Sequence, residues 1–160
     1  MKMRSLGLLL LLILTACGER LPPIPEGPEP PMVVPLAEEL TLYSLDPDDS
    51  PPKDAELFYD YRVLGKVVIT DPQERRDIVM AINRGIAEER EQFVCFDPRH
   101  GLRIVSNNKT IDYVICFQCG NYYEFPATSP HSRSISPLPL PLLNAVLKRA
   151  GVPLNPKKSK

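Results

Sequence analysis

Thr110-Ile-Asp-Tyr-Val-Ile-Cys-Phe-Gln118 is the stretch that decides the fold class. Ile111, Tyr113, Ile115 and Phe117 recur at every second position. Side chains of a strand alternate between two faces, so these four point one way, into a core. Strand-like stretches lie on both sides of it. Gln92–Phe96 and Leu102–Ser106 precede it and Asn121–Phe125 follows, each rich in β-branched or aromatic residues. Asn107-Asn108-Lys109 is turn material between the second and third of these four.

Two more strands are expected upstream. Leu40–Leu45 alternates and is closed by Asp46-Pro-Asp-Asp-Ser-Pro-Pro52; Phe58–Ile69 follows, with a bulge expected at Gly65. The acids of the 46–52 turn lack the glycine and distal glutamate of a calcium loop, so this is read as a solvated turn. Asp71 to Arg90 reads as a helix: Asp71 is a capping residue, Pro72 suits the first position, and Glu74 has capping-box spacing. Ile78, Val79, Ile82 and Ile86 make its apolar stripe, and Gly85 is expected to mark close packing on the sheet. Residues 126–139 read as a loop. A last helix starts near Pro141, has a buried face of Leu142, Leu143, Val146, Leu147 and Ala150, and stops at Gly151 and Pro153. The order β-β-α-β-β-β-β-α predicts an α+β domain, an antiparallel sheet with two helices packed on one side.

The N-terminus has a different character. Lys2 and Arg4 precede an apolar run from Leu6 to Leu14, and Leu14-Thr15-Ala16-Cys17 closes it. A basic start, a short apolar core and small residues before a cut describe a secretory signal. The run is shorter than the ~20 residues of a membrane span. Because it ends in a cysteine, it resembles the lipobox of bacterial lipoproteins. That resemblance implies cleavage before Cys17, acylation of Cys17 by palmitate or similar chains, and an extracytoplasmic, lipid-anchored protein of the cell membrane. Gly18 rather than aspartate behind the cysteine resembles the pattern of proteins sent to the outer membrane, facing the periplasm, in double-membrane bacteria.

The expected segments are therefore a signal peptide over 1–16, a lipidated cysteine and proline-rich linker over 17–36, a globular domain over 37–155 and a basic tail over 156–160. Pro22, Pro23, Pro25, Pro28, Pro30, Pro31 and Pro35 bar helix and sheet from the linker. Extended polyproline II over such a length would hold the domain up to about 60 Å from the lipid. The domain itself, about 120 residues, is long enough to bury a core without obligatory cross-links. Cleavage takes Lys2 and Arg4 from the 19 basic side chains and leaves all 20 acidic ones, so the mature chain is mildly acidic. It lacks the basic footprint of a nucleic-acid partner.

The one chemical constellation is Cys95-Phe-Asp-Pro-Arg-His100-Gly101 with Cys116-Phe-Gln-Cys119-Gly120. Read as C-x4-H and C-x2-C, it suits a Cys₃His zinc site built from Cys95, His100, Cys116 and Cys119, resembling the knuckles of a zinc ribbon. Export favours disulfides instead. One disulfide among Cys95, Cys116 and Cys119 with one thiol left over is the structural alternative, in any of three pairings. If strands 92–96 and 110–118 were neighbours, Cys95–Cys116 would link them and contribute about 3 kcal/mol. Three plain thiols are the remaining account.

A thioredoxin-like centre needs a helix start after its first cysteine, whereas Gly120–Phe125 reads as strand. A Cys–His hydrolase needs a converging base, and His100 and His131 are the two histidines of the chain. Neither pattern is met, so a non-catalytic role with no cofactor is expected; the alternative is a metal-binding protein, with zinc, or a thiol-redox protein, using the Cys95, His100, Cys116 and Cys119 cluster. Arg99 and Arg103 are candidate anion-binding residues. The partners expected are the membrane, through Cys17, and an envelope protein or small ligand.

Leu42-Tyr-Ser-Leu-Asp-Pro47, Cys95-Phe-Asp-Pro-Arg-His-Gly-Leu-Arg103 and Ile115-Cys-Phe-Gln-Cys119 together resemble small exported bacterial proteins with no assigned activity. The likeness spans most of residues 40–153 and implies export, but no ligand and no catalytic residues.

Overall fold

The computed structural model describes residues 21–23, 27–48, 51–88, 91–127, 129 and 131–155. The signal peptide, Cys17, the expected helical positions Glu89 and Arg90, and the basic tail lie outside the described residues. The elements run β1 (Glu39–Asp46), β2 (Leu57–Phe58), β3 (Tyr61–Val68), α1 (Pro72–Ala87), β4 (His100–Ser106), β5 (Lys109–Cys116), β6 (Asn121–Phe125), β7 (Arg133–Ser134) and α2 (Leu140–Arg149). The seven strands form one antiparallel sheet in the order β2-β3-β1-β4-β5-β6-β7. The α+β reading holds.

Alternation places the core. Leu40, Leu42, Leu102, Ile104, Tyr113, Ile115 and Tyr122 belong to one buried cluster with Ile78, Val79 and Ile82 of α1 and Leu142, Leu143, Val146 and Leu147 of α2. A smaller cluster on the opposite face is built from Tyr43, Leu45, Phe58 and Val114, with no helical member among its buried residues. Gly101 is needed there, because a Cβ at that position would stand 2.8 Å from the Phe58 ring.

Local chemistry explains the boundaries. Asp71 caps α1 by accepting the Glu74 amide at 2.7 Å. Asn107 and Asn108 both have positive φ, 50° and 59°, as a two-residue hairpin turn between β4 and β5 requires. The bulge falls beside Gly65: Ser44 pairs with Gly65 and Leu45 with Val63, so Leu64 is the extra residue.

Four expectations change. Phe58–Ile69 is not one strand; Tyr59, at φ 57°, and Asp60 turn the chain between β2 and β3. Gln92–Phe96 forms no strand. The 126–139 loop contributes β7 to the sheet edge. Gly85 packs closely, but against Pro139 and Ile135 rather than the sheet: a Cβ there would meet Pro139 at 2.9 Å.

The proline-rich segment also departs from a free spacer. Asn83 of α1, fully buried, accepts the Val33 and Val34 amides on Oδ1, both at 2.8 Å, and donates to the Val34 carbonyl at 2.8 Å. Val34 is itself completely buried, and Leu21 packs against the same core. The described part of the segment therefore lies on the domain, and the 60 Å reach expected of it is not available to these residues. Among the described residues no helix is long and apolar enough to cross a membrane.

Candidate functional site

The residues singled out in the sequence come to one end of the sheet, around the turn that joins β5 to β6. Cys116 and Asn121 close the ladder, and residues 117–120 make the turn, with Gly120 at φ 70°. The Cys119 amide donates to Cys116 Sγ at 3.1 Å. Residues 93–95 lie over this turn rather than in the sheet. The Phe93 amide donates to the Cys119 carbonyl at 3.0 Å, and Asn121 Nδ2 reaches the carbonyls of Phe93 and Cys95.

This arrangement gathers the three cysteines about Cys119. Its thiol is in hydrogen-bond contact with those of both Cys95 and Cys116, and the Asp97 amide also donates to it. Cys116 and Cys119 are buried, while Cys95 is exposed and its neighbour Val94 is fully so. The strand pairing that would have made Cys95–Cys116 the cross-link is thus corrected, because Gln92–Phe96 forms no strand and leaves Cys95 exposed. All three are free thiols in this structure. The hydrogen bond to Cys119, then burial, raises the Cys95 pKa; burial, then the bond to Cys116, raises that of Cys119. Both stay protonated at neutral pH and are poor nucleophiles.

His100 does not join them. It pairs with Ile115 across β4 and β5, so its ring shares the helix-covered face, whereas Cys116, one residue on, turns to the other face. There the imidazole bonds Asn144 of α2 through Nε2 at 2.9 Å and packs edge-on against Phe117. The Cys₃His ligand set is split by the sheet. Among the described residues no group of three or more His, Cys, Asp or Glu side chains is placed to hold a metal ion. Burial drives the His100 pKa down to about 4, against a smaller upward pull from Asn144, so the ring is neutral at physiological pH.

The two arginines also part company. Arg103 forms a two-pronged pair with Asp112, Nε to Oδ1 at 2.8 Å and Nη2 to Oδ2 at 2.7 Å, and Tyr59 donates to the same carboxylate. Its charge is already matched, so it is not an anion site. Arg99 has amide partners instead: Nε donates to Asn155 Oδ1 at 3.2 Å and Nη1 to Gln118 Oε1 at 3.0 Å. Asn155 Nδ2 continues the chain to Asp46 Oδ1 at 2.8 Å, and Asp46 pairs with Arg62.

Arg99 and His100 line a cleft of about 290 Å³ together with Asp97, Gln118, Asn144 and Asn155, over an apolar wall of Phe117, Pro137, Leu140 and Leu154. Sequence reading found Arg99 and His100 and missed the rest. Asn144 carried a signal, being a polar residue inside the apolar run Leu142–Leu147; Gln118 and Asn155 carried none. Compared with family models, with curated proteins and with solved structures, the chain matches none.

Proposed function

We propose that this chain is a lipid-anchored, extracytoplasmic protein, acylated on Cys17, whose domain binds a partner or ligand in the cell envelope without catalysing a reaction. Leu14-Thr15-Ala16-Cys17 behind a short apolar run is the observation that carries the reading. Several acyl chains on one residue make anchoring effectively permanent, where one alone is marginal. Gly18 favours the outer membrane in a double-membrane host. The cleft beside Arg99 supports a binding role, because it sets a few polar side chains over an apolar wall. Cys17→Ser is expected to block processing or to release the protein from membranes. Fractionation in which the variant is processed and sediments like the wild type refutes the anchoring.

A second reading is favoured by one observation, the convergence of Cys95 and Cys116 on Cys119. It makes the chain a thiol-redox protein, with the three cysteines and not His100 as the working groups. Zinc held by all four residues is no part of it.

A further inference from the structure

The cleft carries a more specific statement. Its charges and its walls describe a ligand. Arg99 is a guanidinium held in place by two amide oxygens, and among the described residues it forms no ion pair with a carboxylate. The neighbouring His100, neutral by burial, neither competes for an anion nor repels Arg99. The start of α2 faces the same space through Leu140, and Pro137, ahead of the helix, lines it too. Pro139 and Pro141 lack an amide hydrogen and the Leu140 amide donates to the Pro137 carbonyl at 3.0 Å, so residues 139–141 contribute the helix dipole and no N–H donor. The positive end of that helix dipole adds to the field of Arg99. Opposite in sign, Asp97 stands in the lining as an acceptor for an N–H group. Between them, Phe117 and Leu154 offer apolar surface.

We propose that this cleft binds the carboxylate end of an apolar amino acid, free or as the last residue of a peptide. Arg99 takes the carboxylate, Asp97 takes the α-nitrogen, and the Phe117–Leu154 wall takes the side chain. The size agrees: at about 290 Å³ the cleft lies at the lower end of small-ligand pockets, as an amino-acid-sized ligand requires. The inference rests on the reading of the domain as a binding domain, and it names what that domain binds. It is independent of the anchor, which Cys17→Ser tests separately.

The test is calorimetric titration of the full chain, purified in detergent, with N-acetyl-L-leucine, free L-leucine and N-acetyl-L-leucinamide. Either acid is expected to bind at least about tenfold more tightly than the amide, the scale of one charged hydrogen-bonded pair. Tighter binding of the acetylated acid assigns a peptide C-terminus, and tighter binding of free leucine assigns the amino acid. Arg99→Gln is expected to abolish the preference for acid over amide. Should that variant fail to fold, Arg99→Lys, which keeps the charge, is expected to retain the preference at reduced affinity. Absence of binding by both acids at millimolar concentration, or equal binding of acid and amide to the wild type, overturns the proposal.

Discussion

Replacing Asn83 with alanine is expected to lower the melting temperature of the domain by about 12 °C. Asn83 sits in the middle of the apolar face of α1 with no exposure, and its amide works in both directions. Oδ1 holds the Val33 and Val34 amides, and Nδ2 holds the carbonyls of Val34 and Val79. Three of those bonds tie the proline-rich segment to the domain. If the segment stays, the variant buries two amides and a carbonyl that lack this partner, at a net cost near 1 kcal/mol each, or about 3 kcal/mol. If the segment lifts, its polar groups regain water, but Val34 gives up burial worth roughly 1.5–3 kcal/mol along with the three bonds. The second route totals about 4.5–6 kcal/mol, so the cheaper first route sets the loss near 3 kcal/mol, and a domain of this size loses about 4 °C per kcal/mol. Circular-dichroism melts of the full chain measure the shift. Limited proteolysis across residues 27–36 tells the routes apart, since only a lifted segment is cut. A variant that melts within about 2 °C of the wild type and gains no cleavage refutes the account of Asn83 as the clasp.

His100 titrates at about 4 in the folded state against about 6.5 unfolded, so the unfolded chain takes up the proton first as pH falls. The stability it contributes is complete above pH 6.5 and is lost progressively down to pH 4; between pH 7 and pH 5 the loss is expected to be about 2 kcal/mol. Denaturant titrations at both pH values check this, and His100→Gln should flatten the difference; an unchanged wild-type midpoint contradicts it. For the thiols, iodoacetamide is expected to modify Cys95 first and to leave Cys116 and Cys119 protected until the chain unfolds. Mass spectrometry with and without prior reduction, with metal analysis of the same sample, reads this out; uniform modification of all three in the folded chain would contradict the burial assigned to Cys116 and Cys119.

Much of the fold was legible because burial on one face forces a pattern. Thr110–Cys116 of the expected strand became β5 with Ile111, Tyr113 and Ile115 facing the helices, since a shift by one residue would have put all of them on the opposite face, while Phe117 and Gln118 fall in the turn. The cap at Asp71 and the Asn107-Asn108 turn were equally readable, each being a local hydrogen-bonding or φ requirement met by residues adjacent in sequence. Asn83 was legible only as an anomaly. A polar side chain between Ile82 and Ile86 has to find partners, but its partners lie some fifty residues away in a segment whose composition argued for a free linker.

Gln92–Phe96 failed for a topological reason that composition does not contain. A strand needs a free edge, and at this end of the sheet there is none: β4 is taken by β1 and β5, and β5 by β4 and β6. The segment lies instead across the β5–β6 turn, tied by the Phe93 amide and by Asn121. Its displacement has two consequences for the site. It exposes Cys95 while leaving that thiol against Cys119, and it carries Asp97 and Arg99 to the mouth of the cleft before His100 enters β4. The C-x4-H spacing that looked like half a metal site is thus the length of chain needed to pass from one face of the sheet to the other. Cys95 ends with the thiols and His100 with Asn144, so one linear motif serves two places. Alternation along β4 and β5 would have separated His100 from Cys116 in any register that also buries Ile115 with the helices. The pairing of those two strands, absent from either motif taken alone, is what turns a zinc-ribbon spacing into a thiol turn beside the Arg99 cleft.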